Sequence, residues 1–166
     1  MYQNAVVTTD GSELATVAII NTIIANNRAD AGQAGVNIWT ESQVLLLNTT
    51  VTGNHPVGVA AFPDVRGRGV LLNSILWGND QRQTEGNVEA KNSLVDVNPL
   101  FVDAANGDYH LKPDSPAIDA GAWYGMPAVD IDGDTRLMGA GVDIGADEAT
   151  GEMTQVEQAR AFAEPI

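Results

Sequence analysis

Four segments of the chain repeat the same asparagine-based text, and that repeat limits the fold more than any other feature. Residues 17–27 read VAIINTIIANN, 44–54 VLLLNTTVTGN, 69–79 GVLLNSILWGN and 88–98 VEAKNSLVDVN. Set on their first asparagine, they place Asn21, Asn48, Asn73 and Asn92 in one column, followed by the hydroxyls Thr22, Thr49, Ser74 and Ser93. Aliphatic Ile24, Val51, Leu76 and Val95 form a further column, and Asn27, Asn54, Asn79 and Asn98 the last. The first asparagines are 27, 25 and 19 residues apart, which is the length of one coil of a parallel β-solenoid. A second alignment sets residues 35–39, GVNIW, over 58–62, GVAAF. Each coil therefore holds at least two short strands.

One coil cannot bury its own apolar face. Stacking pairs the strands in parallel at about 4.8 Å and puts like residues above like. The expected fold is all-β, a right-handed parallel β-helix of about four coils. A β-sandwich of short strands is the competing architecture, but sandwiches rarely repeat the same columns in this way. The eight aligned asparagines are expected to form ladders, with amides bridging from coil to coil, and their tolerance of left-handed backbone suits tight turns. Straight alternation puts Leu45, Leu47, Thr49 and Val51 on one inward face, with Leu47 buried above Leu72.

Composition narrows the partners. The formal net charge is -14 and the only lysines are Lys91 and Lys112. Such a surface repels phosphate backbones and anionic lipid, so neither nucleic acid nor a membrane is an expected partner. The absence of cysteine excludes disulfides, thiolate metal sites and a cysteine nucleophile. No apolar run reaches the length of a membrane span, and the first residues lack the basic and apolar regions of a signal peptide.

After residue 98 the repeat gives way to a Pro-, Gly- and Asp-rich text. Residues 1–98 are thus read as β-helix coils and 99–148 as a loop-rich segment capping the last coil, since an open solenoid end exposes strand edges and core. Residues 149–166 are read as a short amphipathic helix and tail, with Met153, Val156 and Phe162 at helical spacing. The capping text contains Asn98-Pro99-Leu100-Phe101-Val102-Asp103, then Asp108-Tyr109-His110-Leu111 and Ser115-Pro116-Ala117-Ile118-Asp119-Ala120-Gly121. It continues with Asp130-Ile131-Asp132-Gly133-Asp134, Arg136, and Val142-Asp143-Ile144-Gly145-Ala146-Asp147-Glu148. In this order the elements resemble the closing segment of adhesin-like bacterial right-handed β-helix proteins of the choice-of-anchor type. The resemblance covers roughly residues 17–148 and implies an extracellular or cell-surface setting with no known reaction.

The sharpest local motif is Asp130, Asp132 and Asp134 around Gly133. Alternating carboxylates on a tight loop can converge on a hard cation such as Ca²⁺. The alternative is that they accept backbone amides in turns, with Arg136 pairing one of them. His55 and His110 have no partner at metal-ligand or triad spacing, and Ser115 lacks a nucleophile-elbow frame. No residue is assigned a catalytic role. Trp39 and Phe62 share a repeat position; outward and stacked, they would form a glycan-binding face, unless the tail or a subunit interface covers them. The N-terminal end has no cap in the sequence, and a homodimer meeting there is expected. The chain is read as a non-catalytic module that binds or scaffolds, recognising polysaccharide or a protein partner. The rival reading is a carbohydrate-active enzyme or its remnant.

Overall fold

The computed structural model describes residues 6–7, 16–29, 34–38, 42–61, 66–123 and 125–149. The chain enters at β1 (Val6–Val7) and then passes repeatedly through three sheets. One pass comprises β2 (Thr16–Ile20), β3 (Ile23–Ala25) and β4 (Ala34–Ile38), and the next β5 (Gln43–Leu47), β6 (Thr50–Thr52) and β7 (Val57–Ala61). Strands β8 (Arg68–Leu72), β9 (Ile75–Trp77) and β10 (Arg82–Gly86) follow, then β11 (Val88–Lys91) and β12 (Leu94–Val95). Sheet A holds β1-β4-β7-β10, sheet B β2-β5-β8-β11 and sheet C β3-β6-β9-β12. Every pairing within them is parallel. The molecule is all-β in these sheets, stacked as in a β-helix. The last strands among the described residues are an antiparallel pair, β13 (Phe101–Asp103) and β14 (Asp108–Leu111).

The register follows the sequence columns. Ile24 pairs with Val51, Val51 with Leu76 and Leu76 with Val95. In sheet A, Val36 pairs with Val59 and Ile38 with Ala61. The interior is built from all three sheets: Val44, Leu46 and Leu71 from B, Ile24, Val51 and Leu76 from C, and Val36, Ile38, Val59 and Ala61 from A.

The inward face of β5 is not the one that straight alternation gives. Val44 and Leu46 belong to the core, whereas Leu45 is half-buried and Leu47, buried, lies on the opposite side of the strand. Leu72 does sit beside Leu47 in register but is only half-buried. The cause is the corner. Asn21, Asn48, Asn73 and Asn92 have φ of 54°, 45°, 48° and 45°, the left-handed region that asparagine tolerates. Each bends the chain from sheet B into sheet C and resets the alternation, so Val51 faces inward although Leu47 does not.

The two asparagine columns divide their work. Asn27 donates from its backbone and side-chain amides to Asn54 Oδ1 at 3.0 and 2.9 Å, and Asn54 repeats both bonds to Asn79 Oδ1. The ladder ends on Gln83, whose Oε1 receives the Asn79 side chain at 2.8 Å. Asn98 stands apart, accepting the Leu100 amide. Hydroxyls form a shorter inner file, with Thr49 N–H donating to Ser74 Oγ and Ser74 N–H to Ser93 Oγ.

Three of the corner asparagines, Asn21, Asn48 and Asn73, turn outward and bind the later chain. Asn73 exchanges two bonds with Ala122, Asn48 donates to the Asp143 carbonyl, and Asn21 donates to the Val129 carbonyl. Gly145 and Ala146 add amide bonds to Asn73 O and Thr50 Oγ1. Ile144 and Ala117 pack with Phe101 and Leu111 on Ile75, outside sheet C. The segment expected as a cap thus has its traceable contacts along the flank, running back to the first corner at Asn21. An αL asparagine leaves its amide pointing away from the stack, and this strip supplies the partners. The expected helix over 151–164 lies outside the described residues. Among the described residues no helix is long and apolar enough to cross a membrane.

Candidate functional site

Carboxylates organise the flanking strip. Asp130, buried, accepts the amides of Asp132 and Asp134 on Oδ1 and that of Glu148 on Oδ2. Asp143 takes the amides of Asp119 and Ala149, Asp119 that of Gly141, and Asp147 that of Leu111. Glu148 accepts from Leu137, Met138 and Asp143. Arg136 is buried with it, donating to Glu148 Oε2 at 3.3 Å, to Asn21 Oδ1 and to the carbonyls of Gly145 and Ala146. A polar residue buried in a loop-rich segment must satisfy main-chain groups that have no ladder to join. These acids do that. Burial raises the Asp143 carboxyl to about 6 and also raises Asp147.

The loop at 130–134 is therefore held from within. The Asp130 carboxylate is committed to three backbone amides, while Asp132 turns to His110. Arg136 pairs with Glu148 rather than with an aspartate of the loop. The one group of His, Asp and Glu ligand atoms close enough to share an ion, among the described residues, is His110, Asp132 and Asp147. His110 comes from β14, and Asp132 and Asp147 lie 22 and 37 positions from it in the chain. Its Nδ1 meets Asp108 Oδ1 at 2.6 Å and its Nε2 meets Asp132 Oδ2 at 2.9 Å. Two carboxylates on the two ring nitrogens hold the imidazolium form and raise its pKa to about 9.

A pH prediction follows. The folded pKa of His110 lies above the ordinary value of 6.5, so its stabilising contribution is complete below that value and is lost as pH rises through about 9. Asp143 acts lower on the scale: its buried carboxyl, raised from 3.8 to about 6, loses its stabilising protonated form between those values. The melting temperature is expected to fall from pH 6 to pH 9.5. His110→Gln should flatten that slope between pH 6.5 and about 9. More than half of the His110 side chain is exposed, so screening keeps the slope shallow. An unchanged slope in the variant would remove His110 as its source.

The second place of interest is an open polar cleft of about 450 Å³. Trp77, Asn79, Asp80, Gln81, Arg82, Gln83 and Asp96 line it. It lies at the end of the asparagine ladder, where β9 turns into β10. Asp80 and Asp96 are exposed; Asp80 Oδ2 lies 2.7 Å from His55 Nδ1, and Arg82 pairs with Glu85. Of the lining residues, Asn79 alone stands in a column of the sequence repeat. The available signal was the shortening of the repeat to 19 residues after Asn73, together with the Asn98-Pro99 break. Trp39 and Phe62 lie outside the described residues, although their neighbours Ile38 and Ala61 do face the core.

No family model matches the chain, and neither a curated protein nor a solved structure matches it.

Proposed function

We propose that the chain is a non-catalytic binding or scaffolding module, built on a right-handed β-helix of about four coils. The right hand follows the strong preference of parallel crossovers. One observation carries the functional reading: the buried acids of the strip, Asp130, Asp143, Asp147 and Glu148, are engaged by backbone amides. Acids so held serve the fold. The open cleft then offers hydrogen-bonding groups around Trp77 for a ligand or a protein.

A carbohydrate-active enzyme is the second reading, and it rests on Asp80 and Asp96 lining one cleft. A glycosidase needs one carboxyl of its pair to hold a proton near neutral pH, which burial provides. Both aspartates here are exposed. Binding is tested by a polysaccharide and protein pull-down with Gln81→Ala/Asp96→Asn as control. Capture of a partner by the native chain, lost in the variant, is the expected result. Turnover of a captured polysaccharide, abolished by Asp80→Asn, would replace binding with catalysis.

The same proposal places a second copy at the first coil. Strands β2 and β3 each pair on one side only among the described residues, and Ile20 is 45% exposed beside them. Light scattering at micromolar concentration is expected to give twice the 17.4 kDa chain mass. Ile20→Asp should disperse the dimer with the fold retained. A monomer across the dilution series would dismiss it.

A further inference from the structure

The cleft opens beside β10, the last strand of sheet A. Each of the three sheets has four strands and they finish on β10, β11 and β12, after which the chain turns away at Asp96, whose φ is 60°. On its far side β10 meets no strand among the described residues. Arg82 and Gln83 of β10 and Asp96 of the departing chain are shared with the cleft, so the unpaired edge and the cleft form one step.

We propose that this step takes an extended basic peptide, which adds to sheet A as a strand beside β10. The inference rests on the reading of the chain as a binding module and names its partner. An unpaired edge offers a row of backbone donors and acceptors, and strand addition uses them with little demand on sequence. Charge selects the peptide. The cations at this end are engaged, Arg82 with Glu85 and both Arg68 and Lys91 with Glu89. Among the described residues, Asp96 meets the side-chain amide of Gln83 at 3.4 Å and Asp80 meets His55. Both are exposed on a chain of net charge -14. Lysine stems can lie along Trp77 while their ammonium groups reach these carboxylates. A second copy fits the step poorly, because the whole chain carries a net charge of -14.

The probe is a fluorescein-labelled hexapeptide, Lys-Val-Thr-Lys-Val-Thr, titrated into the intact chain by fluorescence anisotropy. Saturable binding is expected, weakened at least tenfold by Asp80→Asn/Asp96→Asn. N-methylation of alternate peptide amides should weaken it at least tenfold as well, since it removes the strand bonds and leaves the charge. Amide exchange across residues 82–86 should slow at saturation. Equal binding of the N-methylated peptide, or unchanged exchange in β10, would overturn strand addition. If the pull-down captures a partner but the peptide does not bind, this inference alone falls. If nothing is captured in either experiment, the binding-module reading falls with it.

Discussion

Leu46→Ala is expected to cost about 2 to 5 kcal/mol, the range for removing a large aliphatic side chain from a packed core. Leu46 is fully buried, paired in register with Ile19 on one side and Leu71 on the other. In a solenoid the loss is felt by both neighbouring coils, because the interior is one column. Leu45→Ala, one residue away and half-buried on the outer side, should cost clearly less. Urea denaturation of the two variants measures the difference. Equal losses would mean that the face assigned to β5 is wrong. Against a total stability of about 5 to 15 kcal/mol, the Leu46 substitution is large enough to leave part of the chain unfolded.

The Arg136–Glu148 pair should have an effect of similar size by another route. Removing one partner of a buried ion pair strands the other charge and costs about 3 to 5 kcal/mol. Both side chains are almost fully buried, and Glu148 also holds three backbone amides. In Glu148→Gln the new amide group must face N–H donors, which it cannot accept from. Arg136→Met leaves Asn21 without its guanidinium partner, and so loosens the strip from the first corner. Urea denaturation and limited proteolysis should show lower stability and earlier cleavage within residues 119–148. The double variant, which strands no charge, is expected to lose less than the two single losses added. Strict additivity would mean that the two residues act separately.

The coil architecture was legible because its determinants are local and repeated. The columns of Asn21 and Asn27 gave the register of sheets B and C, since stacked coils place equivalent residues side by side. The inward face of β5 was not legible, because parity depends on the backbone of Asn48, whose left-handed bend has no marker beyond asparagine itself. The repeat also made eight asparagines look equivalent. The structure separates them by direction: Asn54 lies inside, against Asn79, while Asn48 points out to a segment 95 residues on. The candidate sites were harder still. His110, Asp132 and Asp147 meet only because the strip folds back on itself, and no spacing in the sequence records that. The cleft lies where the edge strand β10 meets the departing chain at Asp96, and a shortened repeat is the one trace of it in the sequence.

The strip on the flank also sets an order of events. Bonds between coils join residues close in the chain, such as Ser74 with Ser93, 19 positions apart, or Asn54 with Ile24, 30 positions apart. Those of the strip span 95, 108 and 115 positions, at Asn48, Asn21 and Arg136. Contacts of long sequence separation form late, because closing their loops comes before any return. The corner asparagines belong to coils that leave the ribosome well before the residues they bind. During synthesis the stack must therefore stand with its outer amides in water, and its closing bonds form only when residues 119–148 emerge. A nascent chain halted at residue 115 should hold the three sheets yet exchange its corner amides freely. Release of the last fifty residues would then lace the first coil to the third in a single late step.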